Sequence, residues 1–441
     1  MSTTKSARAV ALQTLIRVLR DGSYSNISLN NSLRHSQLSQ ADRNFCTRLV
    51  YGTIQYKIYL EYQLHDLVKT KLKEDYLLPL LLMSSYQILF LDKVPNRAAV
   101  NEANLLAKQF GKPHSTGFKI VNGILHALIR RGSVLPDKKD AAQYLSVKES
   151  VPEWLVQYLI DNWGLERTSS ILTSINLPAK NTVRIARLAD TKEVIKELTD
   201  LGFAPEESAL TSDELVLDRG GVSETPLFQD GKLTIQDEAA SLAVNAFNFM
   251  GDEEVLDACS APGGKTVQIA EQLSTGHVTA LDIHENKLRL VKQNAERMNV
   301  NERVITKAMD ARKADQVFAQ GQFAKILVDA PCSGLGLLRR KPEIRYTKSL
   351  SDLTNLQKVQ LALLDHLSGL VKANGELVYS TCTIAVEEDE AVVKAFLEQH
   401  PEFELQAFKA GKIDAPEGML KILPDSYGSD GFFIAKFVRR G

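Results

Sequence analysis

The stretch VLDACSAPGGKT, Val255–Thr266, decides how this chain of 441 residues is read. A short apolar run, Val255 and Leu256, ends in an acid, Asp257. A turn of small residues with two glycines, Gly263 and Gly264, follows, and a helical pattern begins at Lys265. A buried parallel strand that feeds a helix through a glycine turn reads this way. Such a turn lets backbone N–H groups and a helix N-terminus approach a ligand closely. In open α/β sheets ligands sit at the carboxyl ends of the strands, where this turn lies.

Three nucleotide-type readings compete for the turn. A P-loop needs G-x-x-x-x-G-K-[ST]. Gly264, Lys265 and Thr266 fit its end, but its first glycine falls on Cys259. A dinucleotide fingerprint needs G-x-G-x-x-G, and that spacing is absent. An S-adenosylmethionine pocket needs a glycine turn and an acid at the end of the next strand for the ribose hydroxyls. Asp282 in HVTALDI is that acid, 18 residues after Gly264. An ordinary strand–helix turn with no ligand is the alternative to all three.

Downstream, apolar strand-like runs ending in acids recur: RVITKAMD ends in Asp310, and AKILVDAPCSG carries Asp329. Helical stretches lie between and after them, at 265–273, 286–298 and 353–371. Strands alternating with helices imply a parallel, doubly wound sheet. Four strand ends with acids, Asp257, Asp282, Asp310 and Asp329, would line one rim and suit a polyhydroxylated, cationic cofactor. Two cysteines stand at the same rim. Cys332 lies in DAPCSG, and Cys382 lies in LVYSTCTI after the apolar run 377–379. A cysteine is most often a small buried hydrophobe, but these two follow strands and sit beside polar turn residues, so both are candidate reactive thiols.

APGGKT, DAPCSGLG and YSTCT together resemble the RNA cytosine-5 methyltransferases. The resemblance covers roughly residues 230–441, opening at LTIQDEAASLA. It implies an α/β Rossmann-like, S-adenosylmethionine-dependent methyltransferase domain over 236–441 and a cytosine of 16S rRNA as target, cytosine 967 in the family's usual assignment. Cytosine carbon 5 is a poor nucleophile toward a methyl sulfonium. A thiolate adding to carbon 6 activates it, and hydrogen bonding or protonation at ring nitrogen 3 by an acid at the strand end helps that addition. Spacing alone does not say which cysteine attacks. The resemblance implies Cys382 as nucleophile, Cys332 in product release and Asp329 near the methionine end and the target base. It also implies a cofactor held by the turn Cys259, Ser260, Ala261, Pro262, Gly263, Gly264 and Lys265, with Asp282 on the ribose and Asp310 against the adenine. Ser260 departs from the family, which more often has Ala there. The attacking thiol has to be largely ionised, so its pKa is expected below roughly 8.5, helped by the cofactor and by basic loop residues. The target base has to leave its stack, which favours deproteinised or partly assembled rRNA.

The rest of the chain is read around this domain. Its length implies two or three domains. Residues 1–140 carry 20 Lys/Arg against 10 Asp/Glu, and residues 141–441 carry 33 against 44. A basic domain joined to an acidic one suggests a nucleic-acid partner for the first. Residues 5–131 read as all-helical, with apolar stripes at 7–19, 41–63, 77–91, 98–110 and 121–129 and a capping-type start at Ser39. With LVYGTIQYK and AAVNEANLLAK this organisation resembles the NusB-like RNA-binding domain, taken as 1–140. Arg43, Arg48, Lys57, Arg97, Arg130 and Arg131 are its candidate phosphate contacts. Residues 132–150 are polar and read as a linker. Residues 150–235 read as a small α+β unit resembling the family's RNA-binding subdomain, with a strand at NTVRIA in which the resemblance implies a substrate-contacting arginine, here Arg184; a surface arginine is the alternative. Arg339, Arg340, Lys341 and Arg345 follow Cys332 closely and form a basic loop where an RNA strand would lie.

No apolar run approaches the roughly 20 residues that span a membrane, and no signal peptide is visible. The four cysteines, Cys46, Cys259, Cys332 and Cys382, form no C-x-x-C pair, which argues against a disulfide framework or a zinc finger and suits a reducing cytoplasm. The expectation is a cytoplasmic, monomeric enzyme with no metal and no membrane partner. A tRNA methyltransferase, or a non-catalytic RNA-binding protein with a vestigial methyltransferase fold, are the alternatives.

Overall fold

Ser6 caps the first helix by accepting from the Ala9 N–H, and Gly22 ends it in the left-handed region (φ 67°). Between these punctuation marks lies the apolar stripe Leu12, Leu15 and Val18. In the computed structural model, which describes residues 6–23 and 25–441, the same logic yields nine helices up to Ser174. They are α1 Ala7–Asp21, α2 Ser25–Arg34, α3 Gln40–Gln55, α4 Lys57–His65, α5 Leu77–Phe90, α6 Asn96–Phe110, α7 Gly117–Arg131, α8 Ala141–Glu149 and α9 Glu153–Ser174. Leu49, Leu80, Leu81, Met83 and Leu125 are fully buried among the stripes.

Three expectations for this half change. The 41–63 stripe is two helices, because Tyr56 leaves helical geometry (φ −98°, ψ 22°). Ser39 does cap α3, bonding the Asp42 N–H at 3.2 Å. The 132–150 linker holds α8: Asp140 accepts from the Gln143 N–H at 2.9 Å, and Leu145 and Val147 are buried. The compact unit also runs on past 150 to Asn176 and takes in Lys341–Thr347. Asn176 is the reason on the first side, since its Nδ2 donates to the Glu149 carbonyl at 2.8 Å and stitches the end of α9 to the end of α8.

The second unit comprises Leu177–Arg340 and Lys348–Gly441. Its first part is β1 Asn181–Ile185, α10 Thr191–Asp200, β2 Pro205–Glu207, β3 Glu214–Leu217, α11 Pro226–Gln229 and β4 Leu233–Ile235. The strands form an antiparallel sheet in the order β2-β3-β1-β4, over a core of Val183, Val194, Leu198, Leu215 and Leu233.

The remainder is α12 Glu238–Asn245, β5 Glu254–Asp257, α13 Gly264–Gln272, β6 His277–Asp282, α14 Glu285–Arg297, β7 Val304–Ala308, β8 Phe323–Asp329, α15 Ile344–Thr347 (part of the first unit), α16 Leu350–Ser368, β9 Val371–Thr381, α17 Glu390–Gln399, β10 Phe403–Leu405, β11 Phe408–Ala410, β12 Ile413–Ala415, β13 Met419–Ile422 and β14 Phe432–Arg439. The sheet order is β10-β14-β9-β8-β5-β6-β7, with β13 also on β14. The strands β7, β6, β5, β8 and β9 run parallel, and β14 runs antiparallel beside β9. A dinucleotide-binding sheet runs 3-2-1-4-5-6; the antiparallel strand inserted between β9 and β10 sets this one apart. The strands β10 to β13 are not legible in the sequence, because three- and four-residue strands carry too little periodicity.

The central strands have apolar faces on both sides, with Leu256, Ile326, Leu327, Leu377 and Val378 fully buried. The sheet also buries charge. Glu376 pairs with Lys325 at 2.8 Å and with Lys436 at 2.6 Å. Among the described residues no helix is long and apolar enough to cross a membrane.

Candidate active site

The carboxyl ends of β5, β6, β8 and β9 bring the chemistry-bearing residues to one rim. The β5 turn is forced by Gly263, which sits at φ 107° as the cap of α13. A Cβ there would stand 2.9 Å from the Val291 Cα, so both the backbone angle and the close approach of α14 require glycine. Ala261 and Pro262 are joined by a cis peptide bond. Ser260 bonds the Leu281 carbonyl through both its N–H and its Oγ, tying the turn to β6.

The four strand-end acids do not share one environment. Asp257 is buried and accepts from the Thr266 Oγ1 at 2.6 Å; burial, partly offset by that hydrogen bond, pushes its pKa up to about 7. It therefore braces the turn rather than standing open on the rim. Asp282 is partly exposed and accepts the His284 N–H at 2.7 Å. Asp310 is paired with Arg312 at 2.7 Å, and that hydrogen bond holds its carboxyl below the usual range. Asp329 accepts from Lys265 Nζ at 2.8 Å and from Ser380 Oγ at 2.9 Å.

A cleft of about 190 Å³ opens here, lined by Gln236, Asp257, Cys259 through Pro262, Gly264, Lys265 and Asp329. A Cβ on Gly264 would meet nothing nearer than Gln236 Oε1 at 3.9 Å, so the glycine keeps open space that a side chain would fill. A glycine cradle, the N-terminus of α13, a carboxylate–ammonium pair and an acid at the next strand end together fit a ligand with an amino-acid end, a cationic centre and hydroxyls. Cys259 in this turn is a lining residue. Burial, followed by the surrounding Asp residues, raises its pKa, so it stays a neutral thiol.

Cys332 and Cys382 face each other, with their sulfurs 3.2 Å apart and both partly exposed. Loops after β8 and β9 place them. The Gly336 N–H donates to the Cys382 carbonyl at 3.0 Å, Ser333 Oγ bonds Thr383 Oγ1 at 2.7 Å, and Glu388 accepts the Ser333 N–H at 2.8 Å and Gln360 Nε2 at 3.0 Å. The Cys332 thiol is pushed well above its ordinary value, first by the contact with Cys382 and next by burial. Cys332 therefore keeps its proton at neutral pH, as suits the thiol that is not the expected nucleophile. Burial lowers the pKa of Lys265, but the charge and hydrogen bond of Asp329, with further help from Cys382 and Asp257, outweigh it and hold the ammonium above its usual value.

The basic loop is not the open RNA platform that its sequence suggests. Arg339 donates to the Pro424, Gly428 and Ser429 carbonyls. Arg340 pairs with Asp237 and Asp430, each at 2.7 Å. Arg345 is fully buried in the first unit and donates to the Ser150 carbonyl at 3.0 Å. Lys341 alone of the four is exposed. Arg184 is 2% exposed and is paired with Glu271 and Gln236, so it ties β1 to the segment after β4 and to α13. The supporting groups Glu388, Gln236, Ser380 and the Gly336 contact were not singled out from sequence. Glu388 lies in the run EEDE, which reads as the acidic start of a helix.

Fold and site define a class: a Rossmann-like methyltransferase domain with two facing thiols at the cofactor rim, preceded by an antiparallel α+β unit and a helical unit. The sequence profile of the family described as 16S rRNA methyltransferase RsmB/F matches residues 244–438, that of the NusB family matches 5–130, and that of the RsmF/B-like ferredoxin-like domain matches 151–223. The chain is 39% identical to the probable ribosomal RNA small subunit methyltransferase B of Bacillus subtilis, over 99% of each chain. It is 30% identical to the ribosomal RNA small subunit methyltransferase B of Yersinia pseudotuberculosis, over the full length of both. The solved structure of PH0851 matches 99% of both chains with a TM-score of 0.83 at 25% identity. A methyltransferase homologue from Pyrococcus horikoshii matches 68% of this chain and 99% of its own, with a TM-score of 0.60 at 26% identity. The chain belongs to the ribosomal RNA small subunit methyltransferase B family.

Proposed function

We propose that this protein transfers a methyl group from S-adenosylmethionine to carbon 5 of a cytosine in 16S rRNA, cytosine 967 by resemblance, through a covalent bond between Cys382 and the RNA. The observation that carries the proposal is the 3.2 Å pair of Cys332 and Cys382 beside the Lys265–Asp329 pair. In this reading the turn Cys259–Lys265 wraps the methionine end of the cofactor, Asp282 holds the ribose hydroxyls and Asp310 lies beside the adenine. Bound there, S-adenosylmethionine supplies an electrophilic methyl group.

The Cys332 S–H, whose proton is retained, faces the Cys382 sulfur at 3.2 Å. The Cys382 sulfur adds to carbon 6 of the base, forming a C–S bond and moving electron density to carbon 5. Asp329, fixed by Lys265 and Ser380, stands at the strand end where the base has to sit, and accepts a hydrogen bond from ring nitrogen 3 once that nitrogen is protonated. After methyl transfer the carbon 5 proton passes to solvent, its C–H electrons reform the 5,6 double bond and the C–S electron pair leaves with Cys382 as a thiolate. The Cys332 S–H is placed to hydrogen-bond that departing sulfur.

The test is methyl transfer from labelled S-adenosylmethionine to unmodified 16S rRNA by wild type, Cys382→Ala and Cys332→Ala, with the same samples run on a denaturing gel. Cys382→Ala is expected to be inactive without adduct, and Cys332→Ala to accumulate a covalent protein–RNA adduct. An adduct that appears only with Cys382→Ala reverses the two roles. No label on any RNA with the wild type overturns the proposal.

A further inference from the structure

The helices α6 and α7 pack against each other in one register. Asn104 Nδ2 donates to Asn122 Oδ1 at 2.8 Å, and Lys108 Nζ stands 5.0 Å from the centre of the Phe118 ring. On α6, Arg97, Asn101, Asn104 and Lys108 recur at helical spacing on one face. On α7, Lys119, Asn122, His126 and Arg130 do the same. Because the helices run antiparallel, the register set by the two observed contacts carries on along them and puts Asn101 opposite His126 and Arg97 opposite Arg130. The strip so formed is about 16 Å long at 1.5 Å per residue.

Its charge has one sign. The two helices carry a single acid, Glu102, whose charge acts on Arg8 instead. Arg97, Lys108, Lys119 and Arg130 are exposed, and none forms a salt bridge to another described residue. Glu74 is held at the loop end of the helix pair by Ser115 and the Lys112 N–H. At the loop end of the strip a depression of about 390 Å³ is lined by Asn104, Lys108, Phe118, Lys119, Asn122 and Gly123. Gly123 meets no atom within 4 Å of where its Cβ would be, so this wall is open. The Asn104 Oδ1 is buried without a hydrogen bond at its edge.

We propose that the α6–α7 strip is a docking surface for single-stranded RNA, with the Phe118 depression taking one unpaired base. Exposed cations at both ends fit phosphates. An aromatic ring with amide side chains beside it fits a splayed-out base, stacked on the ring in place of the Lys108 ammonium, which turns to a phosphate, and read along its edge. A protein partner with an acidic helix would use the cations but not the ring and paired amides. The inference rests on RNA being the substrate and says which face of the NusB-like unit holds it.

The experiment titrates the full-length protein with an unmodified 16S rRNA transcript at several KCl concentrations. The variants are Lys108→Ala/Lys119→Ala, Arg97→Ala/Arg130→Ala and Phe118→Leu, with thermal melting to verify folding. Each double variant is expected to bind about tenfold more weakly and to lose about 1.4 from the salt slope, two contacts at about 0.7 each. Phe118→Leu is expected to lose about fivefold or more with its slope unchanged. Methyl transfer at saturating RNA keeps the wild-type kcat, while KM rises. Double variants with wild-type affinity and slope overturn the inference and leave the strip as a docking face for an acidic protein. The titration needs no turnover, so it reads this surface even where the proposed chemistry fails.

Discussion

Gly336→Ala tests whether catalysis depends on the spacing of the two thiol loops. A Cβ at position 336 would run into the Gly431 carbonyl oxygen and would stand 2.6 Å from that carbonyl carbon and 2.8 Å from the Cys382 carbonyl oxygen. Ordinary contact lies near 3.5 Å, so the loops have to part by about 1 Å or more. All three obstacles are backbone atoms, and no side chain can swing aside. One of them belongs to Cys382 itself, whose carbonyl accepts the Gly336 N–H, while the Gly336 carbonyl accepts the Gly431 N–H. Overpacking of this kind costs about 1–3 kcal/mol of stability, and a misplacement of about 1 Å at reacting groups costs about 100-fold in rate. The assay compares kcat/KM for methyl transfer well below the melting temperature, together with calorimetric titration of S-adenosylmethionine. The cofactor cleft is built from the β5 turn, so cofactor affinity is expected within about twofold of wild type while kcat/KM falls about 100-fold. Gly369→Ala is the control, since its Cβ would meet nothing nearer than 4.0 Å. If Gly336→Ala keeps kcat/KM within threefold of wild type, the spacing set by the Gly336–Gly431 contact is not what positions the thiol.

Lys325→Ala strips Glu376 of one of its two cations in a site where all three side chains are buried; a loss of about 3–5 kcal/mol is expected by denaturant unfolding, with cofactor affinity unchanged in whatever protein stays folded. Asp257 has its folded pKa raised to about 7, mainly by burial. The folded state therefore holds a proton that the unfolded state releases near pH 4, and stability from this group declines as pH rises from about 4 to about 7. Asp257→Asn is expected to flatten that part of the profile in melting experiments between pH 4 and pH 8, and an unchanged slope would show that the carboxyl is ionised in the folded protein.

Much of this protein is legible in short windows of sequence. The turn after β5, the acid that ends β6 and the cysteines after β8 and β9 each announce themselves, because a strand end, a glycine turn and a helix start involve only a dozen neighbouring residues. The helical stripes of the first unit are local in the same way. A four-residue strand or a helix hidden in a polar segment, such as α8, carries too few turns for its pattern to stand out.

What the sequence by itself determined was therefore the order of the elements and which residue types stand at which strand ends. What only the tertiary structure decided was the company each side chain keeps. Cys332 and Cys382 are 50 residues apart in sequence and 3.2 Å apart in space, and that contact is the first cause that raises the Cys332 pKa. Arg339 and Arg340 look like free cations beside a reactive loop, yet their partners lie about 90 residues further on, at Gly428, Ser429 and Asp430. Arg184 looks like a surface contact and is closed in by Glu271, 87 residues away. The reason is physical: local geometry follows from propensities along the chain, whereas the fate of a charge depends on which distant carbonyls and carboxylates the folded backbone brings within hydrogen-bond reach.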